Sequence, residues 1–396
     1  VGLPGQSLDE SRTILPEVIT APTACIGKWG LGDQYGLMTP NIHGYGHYSG
    51  GLGSGVFDYY FWSRVINGQE KRCFRYATSQ QADDTVRWIR KQSGEWFCCL
   101  CFNAGHTPYH VPPRGLHGQS VTRVGYLERG RVPTADLTWE QRMSYYMASL
   151  EALDTELGRV LEKIDRRSTT IIIVSDNGPF GLNAQSPFDP IRSKGTVYEG
   201  GVWVPLMIAG PQVVDPGRQS PHLVNVVDLF ATIVELMGES QTTGVDSRSL
   251  VPILRDPAAP QVRQFNYCEQ FTADPSPLDM RAIRSPTLKL VQRRGARDEL
   301  FDLSLDRFER QNVIGLPTYQ SAAHELQDEL LALTGLSSLN ASDFVQGDEA
   351  SFLDEQSAGR TDSFDFETDP PKGTTPVRSR SLEAPRSGDP IANRKR

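Results

Sequence analysis

The stretch Thr169-Thr-Ile-Ile-Ile-Val-Ser-Asp-Asn-Gly178 decides how the rest of this chain is read. Its residues from Thr170 to Val174 are all β-branched. A short unbroken run of that kind predicts a strand buried on both faces, the pattern of a central strand in a parallel sheet. The run stops abruptly at Ser175, Asp176, Asn177 and Gly178, which are small, polar and turn-prone. Ligand crevices in open α/β sheets lie beyond the carboxyl ends of the strands, so Asp176 and Asn177 fall where such a fold keeps its chemistry. A carboxylate beside an amide oxygen offers two hard oxygen donors, suited to Ca²⁺ or Mg²⁺. The plain alternative for the same residues is an Asx turn at a strand end.

Upstream of this strand, Met143, Tyr146, Met147, Leu150, Leu153, Leu157, Val160, Leu161 and Ile164 recur at intervals of three and four. That spacing predicts an amphipathic helix. Before it, Trp96-Phe-Cys-Cys-Leu-Cys-Phe102 predicts another buried strand, running out into Asn103-Ala-Gly-His-Thr-Pro-Tyr-His110. Strand, helix, strand is the alternation of a parallel sheet. Farther upstream, Ala82 to Arg90 has helical character, and residues 33–68, rich in Gly, Tyr and His, predict a long surface excursion without regular structure. Cys25-Ile-Gly-Lys-Trp-Gly-Leu-Gly32 is a short apolar entry into a glycine-rich loop, and Thr13 to Ile19 predict a short helix interrupted by Pro16.

Downstream, a loop leads to Ser193-Lys-Gly-Thr-Val-Tyr-Glu-Gly-Gly201, a strand is predicted over Val202 to Ala209, and a helix over Leu223 to Met237. From about residue 260 shorter strands (Met280 to Ile283, Leu288 to Val291) and a helix from Tyr319 to Leu333 predict a smaller α+β domain over 260–336, beside a larger α/β domain over 1–259. Apolar residues thin out beyond Ser337, and 337–396 is expected to be a disordered tail.

The 396 residues carry a formal net charge of -8, which argues against a general nucleic-acid binder. No apolar run approaches the roughly 20 residues of a membrane span. Val1 is neither an initiator Met nor the start of a signal peptide, so the chain is expected to begin inside a longer one. Its six cysteines form no disulfide framework, and Cys98, Cys99 and Cys101 are expected to act as small buried hydrophobes.

Three loops bring ionisable groups to one sheet edge. Lys28 sits among glycines, where its ammonium can meet an anion. His106 follows a strand and can donate to an oxyanion or act as acid or base. Lys194 lies in a Gly-flanked loop. Taken singly, each lysine is most simply a solubilising charge. His106 and His110 are separated by Thr-Pro-Tyr, off any common helical face, so a shared metal is not expected. Together, two lysines, a histidine and a hard cation on Asp176 and Asn177 suit cleavage of a sulfate or phosphate ester.

These residues resemble the sulfatase family of the alkaline-phosphatase-like superfamily. The similar blocks are Ile26-Gly-Lys-Trp-Gly-Leu-Gly32, Phe102 to His110, Leu153-Asp-Thr-Glu-Leu-Gly-Arg-Val160, Ser175-Asp-Asn-Gly178, Lys194-Gly-Thr-Val-Tyr-Glu-Gly-Gly-Val-Trp-Val-Pro205 and the closing Glu299 to Asn312. They occur in family order from residue 1 to about 335. The resemblance implies a mixed, mainly parallel sheet flanked by helices with a smaller C-terminal antiparallel-sheet domain. It also implies one Ca²⁺ held partly by Asp176 and Asn177, and a sulfate gripped by Lys28, His106 and Lys194. Sulfated sugars, steroids and aryl sulfates are the implied substrates, and export is the implied destination.

The resemblance further implies a formylglycine nucleophile, made within a Cys/Ser-x-Pro/Ala-x-Arg motif, and a pair of aspartates completing the calcium site. Neither motif occurs here, where Cys25 is followed by Ile-Gly-Lys-Trp. Gly30 stands where many members have histidine, and Trp203 where arginine is common. A truncated sulfatase without turnover is therefore the leading expectation. A phosphodiesterase or phosphonate hydrolase of the same superfamily and a non-catalytic anion-binding protein are the alternatives.

Overall fold

The computed structural model describes Leu8, residues 12–121, 128–133, 137–240, 246–272 and 274–335, and Leu339. Apart from Leu339, the tail expected over 337–396 lies outside the described residues. The chain opens with a one-turn helix α1 (Leu15–Val18) and the strand β1 (Thr23–Gly27), every residue of which is buried. Pro16 stands in the first turn of α1, so it starts this helix rather than interrupting it.

Residues 33–68 correct the expectation of an irregular excursion. They hold the short helix α2 (Thr39–Ile42), β2 (His47–Gly50) and β3 (Trp62–Ile66), which turns into β4 (Gln69–Cys73). Four residues of β2, with two of them His and Gly, are too few to show a period, yet β2 lies beside β1 in parallel register, Cys25 opposite Tyr48.

Helix α3 (Ala77–Ile89) follows, then β5 (Phe97–Cys101), which pairs with β1 in parallel, Cys25 opposite Cys99. The first sheet therefore runs β4-β3-β2-β1-β5, parallel across β2-β1-β5 and antiparallel at its β3-β4 end. Ala24 and Ile26 pack with Trp88 of α3, while Cys25 on the opposite face packs with Trp29, Tyr45 and Tyr48. Helix α4 (Trp139–Leu161) opens with a reciprocal cap: Thr138 Oγ1 accepts from Gln141 N, and Gln141 Oε1 accepts from Thr138 N.

The β-branched run does form a strand, β6 (Ile171–Val174). Its surroundings correct the prediction. Beyond the one-turn helix α5 (Glu199–Val202) lies β7 (Leu206–Ala209), shorter than the strand expected over 202–209. β6 pairs antiparallel with β7, and among the described residues with nothing else. It is half-buried rather than enclosed on both faces, and Val174 is 37% exposed. Helix α6 (Asp228–Leu236) and the short α7 (Val251–Arg255) complete this part.

The remaining strands, β8 (Asn266–Gln270), β9 (Met280–Arg284), β10 (Leu288–Arg293) and β11 (Glu299–Asp302), make an antiparallel sheet in the order β11-β10-β9-β8. Its alternating residues serve two layers. Ile283, Leu290 and Leu300 pack under α8 (Gln320–Thr334) with Ala323, Leu326 and Leu330. Met280, Ala282, Val291 and Phe301 pack on the other side against Val197 and Tyr198. Helix α8 stops at Gly335, whose positive φ of 70° lets its N–H reach the Leu331 carbonyl. The protein is thus a mixed α/β fold with a mainly parallel central sheet and a separate antiparallel one.

Candidate functional site

The glycine after Ile26 sets the site's geometry. Gly27 has φ of 113°, and a Cβ there would lie 1.8 Å from the Cys101 carbonyl oxygen. Only glycine allows β1 to end so close to the end of β5. The next residue, Lys28, donates its backbone N–H to that same Cys101 carbonyl at 2.9 Å. Its side chain then crosses to the end of β6, where Nζ meets Asp176 Oδ2 at 2.9 Å. The carboxyl ends of β1, β5 and β6 therefore converge.

A second close approach fixes the neighbouring loop. Gly178 lies so near Gly200 that a Cβ would sit 1.9 Å from the Gly200 carbonyl oxygen, and Gly178 N donates to Gly201 O at 2.8 Å. Lys194 N donates to Pro179 O at 3.0 Å, which holds the lysine loop against the Asp176 turn. Asp176 Oδ1 accepts the backbone N–H of Asn177, and Asn177 Nδ2 donates to Gly178 O. The Asx-turn reading of this stretch is thus part of its structure. Burial works against the charge on Asp176. The Lys28 ammonium that bonds to it and the charge of Lys194 outweigh that effect and hold its carboxyl below the usual aspartate value.

His106 is placed by a buried phenol: Tyr59 Oη donates to the carbonyls of Asn103 at 2.6 Å and of His106 at 2.8 Å. His106 Nδ1 lies 2.9 Å from the Thr107 carbonyl, so the proton belongs on Nδ1 and Nε2 is the ring's acceptor nitrogen in the neutral form. Lys28, His106, Asp176, Asn177 and Lys194 all line one cleft. His110, by contrast, is buried in the core. It stacks on Tyr59 and hydrogen-bonds Tyr76 Oη at 3.0 Å, and burial pushes its imidazole down to about 4.

As a cation site, Asp176 and Asn177 have oxygens of the right kind. They fall short in number, since Ca²⁺ takes roughly six to eight oxygens. No cluster of three or more His, Cys, Asp or Glu suited to a metal occurs among the described residues. Cys25 of β1 is buried. Cys98, Cys99 and Cys101 of β5 are only half-buried because this strand lines the cleft, which corrects the expectation of a fully buried strand. Partial burial still raises the thiol of Cys98.

Sequence reasoning missed the charges behind the Lys194 loop. Lys289 Nζ lies 2.9 Å from Glu199 Oε1 and 2.9 Å from Glu309 Oε1, and all three side chains are almost wholly enclosed. Arg284 adds a third contact, to Glu199 Oε2 at 2.9 Å. Glu309 Oε2 accepts the Glu199 backbone N–H at 2.6 Å. These residues anchor the start of α5, and so the loop carrying Lys194, to the antiparallel sheet. Arg307 stacks over Trp203 at 3.6 Å just beyond.

The sulfatase family model matches residues 6–239. The chain belongs to the sulfatase family. A second model, the C-terminal part of N-sulphoglucosamine sulphohydrolase, matches residues 191–335. Steryl-sulfatase of Mus musculus is 32% identical over 212 residues, 49% of this chain and 30% of that protein. N-acetylglucosamine-6-O-sulfatase of Bacteroides thetaiotaomicron is 27% identical over 201 residues, 48% of this chain and 35% of that one. This sulfatase-family chain thus spans about a third of the length of each. The crystal structure of Ps i-CgsB superposes with a TM-score of 0.70 at 20% identity, covering 90% of this chain and 82% of the other, a likeness of fold. No helix among the described residues is long and apolar enough to cross a membrane.

Proposed function

We propose that Lys28, His106 and Lys194 form the sulfate-gripping part of a sulfuric ester hydrolase site, with Asp176 and Asn177 as two ligands of its Ca²⁺. The observation that carries this reading is the Lys28–Asp176 contact at 2.9 Å, with Lys194 close enough to depress the same carboxyl. Two ammonium groups and an imidazole on one cleft suit the non-bridging oxygens of a tetrahedral anion. His106, with its proton held on Nδ1, can take or return a proton through Nε2 at the departing alcohol. Ca²⁺ would supply further positive charge at the sulfate oxygens. The substrate class is a sulfate ester of a small molecule or carbohydrate, and export of the protein belongs to the same proposal.

The residues of this chain bind and orient; none of them fits the formylglycine motif that the family resemblance implies. Purified 1–396 is therefore expected to bind inorganic sulfate without hydrolysing 4-nitrophenyl sulfate. Calorimetric titration with sulfate, on the wild-type chain and on Lys28→Ala and Lys194→Ala, tests the binding. A loss of at least tenfold in affinity in each variant is expected. Sulfate affinity unchanged in both would overturn the reading, and robust turnover by 1–396 would overturn the assignment of the nucleophile elsewhere.

A further inference from the structure

Phe57, Phe61 and Phe74 are left 68%, 45% and 69% exposed. The rings of Phe61 and Phe74 lie 5.4 Å apart, at the end of the β3-β4 hairpin where Trp62 pairs with Cys73. Phe57 opens the turn that leads into β3. Asp58 Oδ1 shapes this turn by accepting the N–H groups of Tyr60 at 2.6 Å and Phe61 at 2.8 Å. Exposed rings gathered in this way mark a surface that meets something.

Three rings of the turn each carry a guanidinium. Arg131 stands over Phe57 at 4.0 Å, Arg129 over Tyr60 at 3.8 Å and Arg72 over Phe61 at 5.4 Å. Gly130 brings the first two into place. A Cβ there would lie 1.8 Å from Asp58 Oδ1, an oxygen already held by two amides, and Gly130 O accepts Tyr59 N at 3.0 Å. Neighbouring arginines are neutralised: Arg64 pairs with Asp84, and Arg75 with Asp83. Among the described residues, Arg72 and Arg131 have a ring and no carboxylate partner. A guanidinium stacked by its face keeps its N–H edge for the oxygens of an anion.

This strip begins at the candidate site. A Cβ on Gly55 would lie 3.4 Å from His106 Nδ1, and Tyr59 of the same turn holds the His106 carbonyl. Phe57 and Arg131 line the cleft, whereas Tyr60, Phe61, Arg72 and Phe74 lie outside it, so the strip leads away from the site. We propose that it binds a sulfated oligosaccharide. Resting on the sulfatase reading, one sulfate of that chain occupies the site while others meet Arg131 and Arg72. The open sides of Phe57, Phe61 and Phe74 offer flat apolar surface to the C–H faces of the sugars. A steroid or simple aryl sulfate carries one anion and leaves both outer arginines unused. Nucleic acid is disfavoured by the net charge of -8.

The test is calorimetric titration of the purified chain with glucose 6-sulfate and with fully sulfated maltohexaose. The hexasaccharide should bind at least fiftyfold more tightly, beyond what its number of sulfates supplies. Arg131→Ala and Arg72→Ala should each weaken hexasaccharide binding at least fivefold and leave glucose 6-sulfate within twofold. Phe74→Ser should weaken the hexasaccharide at least threefold. Arg167→Ala, with a side chain 91% exposed before the amino end of β6, should change neither. Wild-type hexasaccharide affinity in both Arg131→Ala and Arg72→Ala would overturn the proposal. So would an equal loss in Arg167→Ala, the mark of general charge attraction. A thymidine hexanucleotide bound more tightly, with the same arginine dependence, would assign the strip to nucleic acid and overturn it too. Lys28→Ala separates the two readings. If it leaves glucose 6-sulfate affinity unchanged while Arg131→Ala still weakens the hexasaccharide, the strip stands and the sulfatase site falls. If it abolishes glucose 6-sulfate binding while the arginine variants match wild type, the site stands and the strip falls.

Discussion

The antiparallel sheet and the β6-β7 ribbon are built from the same kinds of residue and end in opposite environments. Ile283, Leu290 and Leu300 are fully enclosed between their sheet and α8. Ile171, Ile172 and Ile173 are half-exposed, and Met207 on the adjoining strand is 55% exposed. The lysine–carboxylate pairs divide in the same way. Lys289 is 1% exposed between Glu199 and Glu309, whereas in the Lys28 pair Asp176 is 62% exposed. One region closes on itself and is a scaffold. The other keeps its apolar surface and its charges at an open cleft.

The buried lysine offers the largest expected effect. Lys289→Met leaves Glu199 and Glu309 enclosed without their shared cation, and breaking such a cluster from one side costs about 3–5 kcal/mol. Urea unfolding should show that loss, together with faster exchange of the 193–201 amides that the cluster holds. A variant as stable as wild type would mean that the two carboxylates find other partners.

Matched truncations probe the two sheets directly. Leu290→Ala opens a cavity in a closed core and should cost about 2–5 kcal/mol. Ile172→Ala removes side chain that is already half in solvent, and at about 25 cal/mol per Å² its cost should be about 1 kcal/mol or less. Equal losses in denaturant midpoint would break the contrast between closed and open regions.

Between the regions lies the stack of Arg307 on Trp203. Arg307→Ala should cost about 0.5–1 kcal/mol, the range of a partly exposed cation–π pair. Its checking measurement is again the urea midpoint, with Arg307→Lys recovering part of the loss.

The sequence brought out the residues that line the cleft more fully than the sheets around them. Lys28, His106 and Asp176 were legible because each follows an apolar run and, like Lys194, stands beside glycine or a turn residue. The β-branched run announced a strand, but its composition describes the environment a strand requires and does not name its neighbours. Only the hydrogen-bond ladder shows that β6 has β7 on one side alone. Lys289 was illegible for a related reason. In Leu288-Lys-Leu-Val the lysine occupies an alternate position and looks solvent-facing, which holds for a sheet with one wet face. This sheet is covered on both, by α8 and by the 196–198 segment, so the polar position is inside and must be paired.

The smallest effect separates the two lysines by pH. Asp176 has its carboxyl held below the ordinary value of 3.8, against burial, by Lys28 and Lys194. A carboxylate depressed in this way contributes stability that is present above the ordinary value and lost as pH falls through the depressed one. The pair is partly exposed, so its share is below about 1 kcal/mol. Carboxyl-detected NMR should find Asp176 titrating below 3.8 in the wild-type chain. In Lys28→Met its titration should move upward, because burial then acts against the charge with only Lys194 and the Asn177 N–H to oppose it. An unchanged titration in Lys28→Met would mean that the contact across β1 and β6 does not persist in solution, and the convergence of the strand ends that carries the site would go with it.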